Sequence, residues 1–401
     1  MQSPSPVPFS DLAALRQGLL SLCVFRNVLQ DPVMEGLLAL TAAPKEERVS
    51  AYSELAARLY ARGTDLSQYL LTLALEDENI YMLIRAEGKT PDPLLEEAVS
   101  QELAILEGAA ALTPDWFRSQ IGYQGWLPGW YNRESGFAAT YAQRLSEIHQ
   151  HGYGIFAKYH TFLVQDGVLC PVKHPDAITL DELGGYQKER QAVIDNTLAL
   201  LEGRPAANTL LYGDAGTGKS STVKAVANAY KDRGLRLIEL KKNQLHEIPH
   251  LVDQLSRNPL KFILFIDDLS FAKNDDDFAA LKAILEGSVS ARANNLAVYA
   301  TSNRRHLVKE TFADRQGDEV HISDTLEELI SLSDRFGLTI TFQKPQKKVY
   351  LEIVHDLALR YGITIPQDQL DIQAEAFAIA RSGRSARAAK QFVESLLAKG
   401  L

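Results

Sequence analysis

The stretch Gly213-Asp214-Ala215-Gly216-Thr217-Gly218-Lys219-Ser220 constrains this chain more than any other. Two glycines with four residues between them run into Lys and Ser, the pattern of a phosphate-binding loop. The apolar run Thr209-Leu210-Leu211-Tyr212 precedes it and reads as a buried strand. Residues 221–230 follow and read as a helix. A phosphate needs that order: the glycines let backbone N–H groups turn inward, and the helix N-terminus adds partial positive charge. Lys219 is then placed for the β- and γ-phosphates and the Ser220 hydroxyl for Mg²⁺. Ser221, at the start of the helix, completes the candidate phosphate-binding set. A chance match in a Gly-rich turn is the alternative, and the flanking strand and helix argue against it. The sequence predicts a nucleoside triphosphate ligand.

A chain of 401 residues has room for two or three domains. Its formal charge of -9 disfavours general affinity for nucleic acid or an anionic membrane. Cys23 and Cys170 are far apart and lack metal-ligand spacing, which suits a reducing compartment and excludes a disulfide framework. The first ten residues carry no basic region ahead of an apolar core, so no signal peptide is expected. The apolar run 12–29 is broken by Arg16 and Arg26 and is too short to span a bilayer. These features predict a cytoplasmic protein. The histidines show no zinc-binding spacing.

Residues 10–110 are rich in Leu, Ala and Glu at helical spacing, which predicts helices over 11–29, 46–61, 66–85 and 93–106. An aromatic, Gly-rich segment, 116–131, carries Trp116, Trp126 and Trp130; it reads as a small core under an irregular loop rather than a recognition surface. Another helix is predicted over 138–149, and residues 151–176 read as a bridge. Beyond 177 short strands and helices alternate, with strands at 209–212, 235–240, 262–266, 296–300 and 338–342. The intervening helices are 221–230, 244–255, 278–288 and 324–332. Five strands separated by helices predict an α/β fold with a parallel sheet. Residues 345–401 read as helices only. The predicted domains are therefore a helical 1–150, a nucleotide-binding 177–344 and a helical lid, 345–401.

Phe262-Ile263-Leu264-Phe265-Ile266 marks a strand covered on both faces, and it ends in Asp267-Asp268. Carboxylates at that edge of an open sheet sit where ligands gather. Asp267 is the candidate Mg²⁺ ligand, and Asp268 the group that orients or activates water. The next strand ends in Thr301-Ser302-Asn303, where Asn303 can position a water opposite the γ-phosphate. Arg335, just before the last strand, can project toward the γ-phosphate bound by a neighbouring subunit; taken by itself, an Arg paired on the surface with Asp334 or Glu328 is the favoured reading. Arg381, Arg384, Arg387 and Lys390 recur every three residues and are expected on one helical side. One of them is expected to reach the γ-phosphate; a nucleic-acid stripe and a solvated face are the rival readings. Asp275-Asp276-Asp277 reads as a solvated loop before a helix rather than a metal cluster.

Gly213–Ser220, Asp267-Asp268, Asn303, Arg335 and Arg387 together resemble the AAA+ ATPase pattern of Walker A, Walker B, sensor 1, arginine finger and sensor 2. Arg387 aligns better than Arg384 as sensor 2. Asp181-Glu182-Leu183-Gly184-Gly185-Tyr186 resembles the segment that flanks the adenine. Phe265-Ile266-Asp267-Asp268-Leu269-Ser270-Phe271 and Tyr299-Ala300-Thr301-Ser302-Asn303-Arg304-Arg305-His306-Leu307 are similar to a bacterial AAA+ family known only as ATP-binding. The resemblance covers roughly residues 155–401. It implies a five-stranded core, a helical lid, ATP and Mg²⁺ as ligands, and a homo-oligomeric ring or open ring with sites at subunit interfaces.

Two departures qualify what the resemblance implies. Asp268 stands where most Walker B motifs carry Glu, and this, with Arg335-Phe336-Gly337-Leu338-Thr339, resembles the slowly hydrolysing replication-initiator branch. Residues 241–248 lack the aromatic-apolar-Gly pore loop of threading unfoldases. The first expectation is an ATPase that remodels a protein partner selected by residues 1–150. A nucleic-acid loader or initiator-like switch comes second, disfavoured by the charge and by the lack of a DNA-binding motif. A nucleotide-gated scaffold comes third and a P-loop metabolite kinase last.

Overall fold

Apolar residues at helical spacing give the first part of the chain nothing to build but helices, and six of the ten start where a short polar side chain takes a free N–H group of the first turn. In order these are α1 (Leu12–Leu20), α2 (Pro32–Ala42), α3 (Arg48–Tyr60), α4 (Leu66–Glu76), α5 (Ile80–Ala86), α6 (Pro93–Ala110), α7 (Pro114–Ile121), α8 (Phe137–Ser146), α9 (Ile148–His151) and α10 (Ile155–Lys158). Asp11, Asp31, Asp65, Asn79, Asp92 and Thr113 are the side-chain N-caps. The computed structural model describes residues 5–269, 281, 285, 294–303, 335–381 and 383–399. The chain divides into two units, Met1–Lys158 and Tyr159–Leu401.

One apolar core, including Leu15, Leu19, Leu37, Leu55, Leu70 and Leu106, holds the first unit. The helix expected over 11–29 stops at Leu20, and the cause is a carboxylate on another helix. Glu102 of α6 is buried, and its oxygens accept the backbone N–H groups of Cys23 (2.9 Å), Val24 (3.0 and 3.1 Å) and Phe25 (2.9 Å). Cys23 Sγ donates to the same carboxylate, which raises the thiol pKa. The helix expected over 66–85 breaks where Asn79 caps α5. The aromatic segment opens with α7, not with irregular chain. Trp130 is buried and stacks on Tyr52 at 5.2 Å, whereas Trp126 is 82% exposed.

The second unit is an α/β layer structure. A hairpin, β1 (Thr161–Gln165) and β2 (Val168–Pro171), precedes α11 (Gln187–Leu201). There follow β3 (Thr209–Gly213), α12 (Lys219–Tyr230), β4 (Leu235–Leu240), α13 (Ile248–Leu255), β5 (Lys261–Ile266), β6 (Leu296–Ser302) and β7 (Leu338–Phe342). The strand order is β2-β1-β4-β5-β6-β3-β7, with all neighbours parallel except β2. The sheet therefore has seven strands, not five, and part of the expected bridge is sheet. Asp166 and Gly167, at φ 50° and 75°, form the two-residue turn of a hairpin, and β1 pairs with β4. Of the helix expected over 278–288 only Leu281 and Leu285 are described, both buried. The helix expected over 324–332 and the aspartates 275–277 lie outside the described residues.

Three helices, α14 (Lys347–Arg360), α15 (Gln367–Ala380) and α16 (Ala386–Leu397), close on their own core of Tyr350, Ile353, Ala374, Phe392 and Val393. The cationic residues expected on one helical side do not share one. The chain leaves α15 at Ala380, turns at Gly383 (φ 97°) and restarts with Ser385 as N-cap, so Arg381 and Arg384 precede α16. Among the described residues no helix is long and apolar enough to cross a membrane.

Glu102→Ala should lower the stability of the first unit by about 2–4 kcal/mol, because it orphans three backbone donors, of which those of Val24 and Phe25 are buried. Urea unfolding followed by tryptophan fluorescence reads this unit selectively, since Trp116, Trp126 and Trp130 all lie in it. A loss below about 0.5 kcal/mol, the range of ordinary surface changes, contradicts this account.

Candidate functional site

The site begins where β3 runs out beside β7. Gly213 has φ 135°, and a Cβ there would lie 2.1 Å from the carbonyl oxygen of Phe342, so a side chain is sterically excluded. Asp214 continues the contact: its N–H donates to Phe342 O (3.1 Å), and its carboxylate accepts from Lys344 N (2.8 Å). Among the described residues the N–H groups of residues 215–218 donate to no protein acceptor. The first N–H groups of α12 are unpaired by geometry. Thr217 Oγ1 donates to Asp214 O (2.9 Å) and fixes the loop from within.

Lys219 is buried, and its ammonium has three oxygen partners: Gly213 O (2.8 Å), Asp214 O (2.8 Å) and Asn303 Oδ1 (3.0 Å). Burial lowers its pKa; Asp214, Asp267 and Asp268 oppose that shift, and Arg387 adds to it. Ser220 Oγ donates to Asp267 Oδ1 (2.6 Å). Because β6 lies between β3 and β5, Thr301 at its end can brace Asp267 from the side: Thr301 Oγ1 donates to Asp267 Oδ1 at 2.5 Å. Asp268 follows with φ 52°, an uncommon conformation outside Gly that costs of the order of 1 kcal/mol. It is held by its own N–H on Thr301 Oγ1 (2.9 Å) and by Asn303 Nδ2 on its carboxylate (2.7 Å).

These groups line a cleft of about 660 Å³. One end is polar, with residues 215–222, Asp267, Asp268, Thr301, Asn303, Arg387 and Lys390. The rest of the lining joins the apolar side chains of Ile178, Leu183, Tyr186, Ile353, Leu357 and Tyr361 to the charged Glu182, Arg190 and Arg360. That division suits a phosphate chain joined to a flat base, and the volume is that of an ordinary ligand site. Tyr186 is fixed by its hydroxyl on Gln343 O (2.7 Å) and packs on Phe342. The lid reaches the loop through backbone: Arg387 N donates to Gly216 O at 3.0 Å. A Cβ on Gly216 (φ 78°) would crowd Arg387 Cβ at 3.2 Å.

Of the residues singled out in the sequence, the cleft brings together Ala215, Gly216, Thr217, Gly218, Lys219, Ser220, Ser221, Asp267, Asp268, Asn303 and Arg387, with Gly213 and Asp214 supporting the loop from behind. Arg335 does not line it; it lies before Leu338, the end of β7 that pairs with Thr209 and not with Gly213. Arg384 is committed elsewhere, in a two-point bond to Glu375 (2.8 and 2.6 Å), and Arg381 lies over the Phe377 ring at 5.4 Å. Sequence reasoning passed over Thr301 as a brace; the signal was a hydroxyl two residues before Asn303 on a strand flanking the acidic one. The residues present fit a nucleotide with Mg²⁺. Donors without protein acceptors surround the loop, and the Ser220–Asp267 pair is an all-oxygen donor set of the kind Mg²⁺ takes together with phosphate.

The sequence profile of a family described as "Protein of unknown function (DUF815)" matches residues 156–400. A 26S proteasome regulatory subunit 6B homolog from Schizosaccharomyces pombe is 32% identical over 116 residues, covering 25% of this chain and 30% of that protein. Two RuvB variants from Thermotoga maritima superpose with TM-scores of 0.36 and 0.37, at 16% and 15% identity, over 54% of this chain and 63% and 64% of theirs. The chain thus spans less than two thirds of each of these relatives. The superpositions are too loose to carry an argument, and the architecture rests on this chain's own strands.

Thr301→Val should weaken Mg²⁺-dependent nucleotide binding by about 10-fold, the usual effect of losing an outer partner of a metal ligand. Nucleotide binding in EDTA should hardly change. Equal losses with and without Mg²⁺ would show that Thr301 acts on the fold and not on Asp267.

Proposed function

The chain belongs to the DUF815 family of proteins of unknown function, and from that premise we propose that it is a Mg²⁺-dependent ATPase of the AAA+ type. The observation that carries this reading is the continuous set of contacts Asp268–Asn303–Lys219 beside Ser220–Asp267 in one cleft. Phosphate binding, metal holding and water orientation each have a candidate group there. Lys219 exchanges carbonyl partners for phosphate oxygens, and the loop N–H groups surround the same charge. Ser220 and Asp267 would hold Mg²⁺, which supplies charge neutralisation across the β- and γ-phosphates. Asp268 accepts a proton from the attacking water or orients it, and Asn303 keeps that carboxylate in place. The balanced reaction is ATP plus water to ADP and phosphate.

Arg335 is assigned to a neighbouring subunit's site. β7 separates it from its own chain's loop by about 13 Å of strand, and it does not line its own chain's cleft. In a homo-oligomer, ring or open ring, that site is the neighbour's cleft, where a cation at the transferring phosphoryl group is worth about 10³- to 10⁵-fold in turnover. The first unit then selects a macromolecular partner, which hydrolysis remodels. A protein partner suits the net charge of -9 better than nucleic acid does. The slower initiator-like switch is favoured by one feature, the short Asp268 carboxylate already engaged by Asn303.

Lys219→Ala should abolish ATP binding, and Arg335→Ala should retain binding while losing at least about 10³-fold in turnover. Mixing the two inactive proteins should restore part of the activity, because each supplies what the other's shared site lacks. No recovery at any ratio sinks the interface assignment. Lys219 also sets a pH dependence. Its lowered pKa returns toward the ordinary 10.5 when an anion binds, so binding takes up a proton on the alkaline side and affinity falls as pH rises there. Calorimetry in two buffers of different ionisation enthalpy measures that uptake. Lys219→Arg, which stays charged to above about pH 12, should remove it; absence of uptake in the parent protein contradicts the assignment.

A further inference from the structure

A second cleft, of about 460 Å³, adjoins the strap that leads into the nucleotide site. Asp176, Ala177, Thr179 and Leu180 line it, while Ile178 between them lines the first cleft. Its walls are set in advance: Asn228 Nδ2, from α12, donates to Asp176 O (2.8 Å) and Ile178 O (2.9 Å). Two lysines and two histidines are among its lining residues: His160, Lys231 and the adjacent, exposed pair Lys173 and His174.

Lys231 follows the end of α12, where a cation also offsets the helix dipole. His160, Lys173 and His174 flank the β1–β2 hairpin and have no such role. Among the described residues neither lysine is in an ion pair. Burial first, then the charges of Lys231 and Arg236, hold the His160 imidazole below its ordinary pKa, and Asp232 opposes this. The one carboxylate in the lining, Asp176, accepts from Ile178 N (3.2 Å).

We infer that this cleft binds a small phosphate-bearing ligand, held by Lys173 and Lys231 with the imidazoles of His160 and His174 beside them. Donors arriving from separate elements match an anion with several acceptor oxygens better than a single carboxylate. The site shares no side chain with the nucleotide cleft, and it stands whether or not that cleft binds ATP.

The test uses the full chain carrying Lys219→Ala, so that the first cleft does not compete, titrated with pyrophosphate while the imidazole NMR signals of His160 and His174 are followed. Both signals should move along one saturable curve. Lys173→Ala with Lys231→Ala should weaken that binding about 10- to 100-fold, the loss of two charge-assisted contacts. Lys173→Arg with Lys231→Arg should stay within about threefold of the parent, since both side chains remain cationic donors. That pair decides the matter if the alanine pair does not fold. Signals that do not move, or binding indifferent to the alanine pair, overturn the inference. Succinate binding as tightly as pyrophosphate overturns the phosphate preference.

Discussion

One buried ammonium group joins the ends of three strands, and the rest of the site is arranged around it. Lys219 touches the carbonyl at the end of β3 directly and the end of β6 through Asn303, which in turn grips Asp268 at the end of β5. A cation that deep needs oxygen on several sides, since burying a charge without partners is costly. Here the partners are also the groups that must be held in register for phosphate chemistry. Stability and preorganisation therefore rest on the same contacts, and a change at any of the three strand ends is felt at the other two.

Close backbone approach has a comparable role. Gly213 lets β3 end against β7, and Gly216 lets the start of α16 lie on the loop. The first contact sets the loop's height above the sheet. The second joins the lid to the loop by a main-chain bond, Arg387 N to Gly216 O, so lid position and loop shape are coupled without an ion pair. Asp214 strengthens this through Lys344, in the segment where β7 passes into the lid.

The first unit follows a different logic. No cluster of metal-ligating side chains appears in it among the described residues, and several of its polar side chains serve as caps or, in Glu102, as a cradle for backbone N–H groups. Trp130 and Phe117 pack in its core, whereas Trp126, Tyr123 and Tyr131 are exposed.

Much of the nucleotide unit was legible in sequence, because its signals are local. A phosphate loop needs particular residues at fixed spacing, and a strand covered on both faces must be apolar throughout, as Phe262 to Ile266 is. The α/β class, the five crossover strands and the loop follow from such rules. The β1–β2 hairpin was missed although Asp166-Gly167 is a turn signal, because a short strand joins a sheet only if its partner, β4, is near in space. Which lid arginine faces the cleft could not be read from spacing either. Arg381, Arg384 and Arg387 look equivalent until the turn at Gly383 separates them and Glu375 engages Arg384. Helix ends at Leu20 and Thr301's hold on Asp267 were likewise decided by partners 34 or more residues away, Glu102 being 78 residues from Val24. The sequence by itself determined which backbone could carry a phosphate and which strand carried the acids; tertiary contact decided which neighbours brace them, since long-range partners leave no periodic trace along the chain.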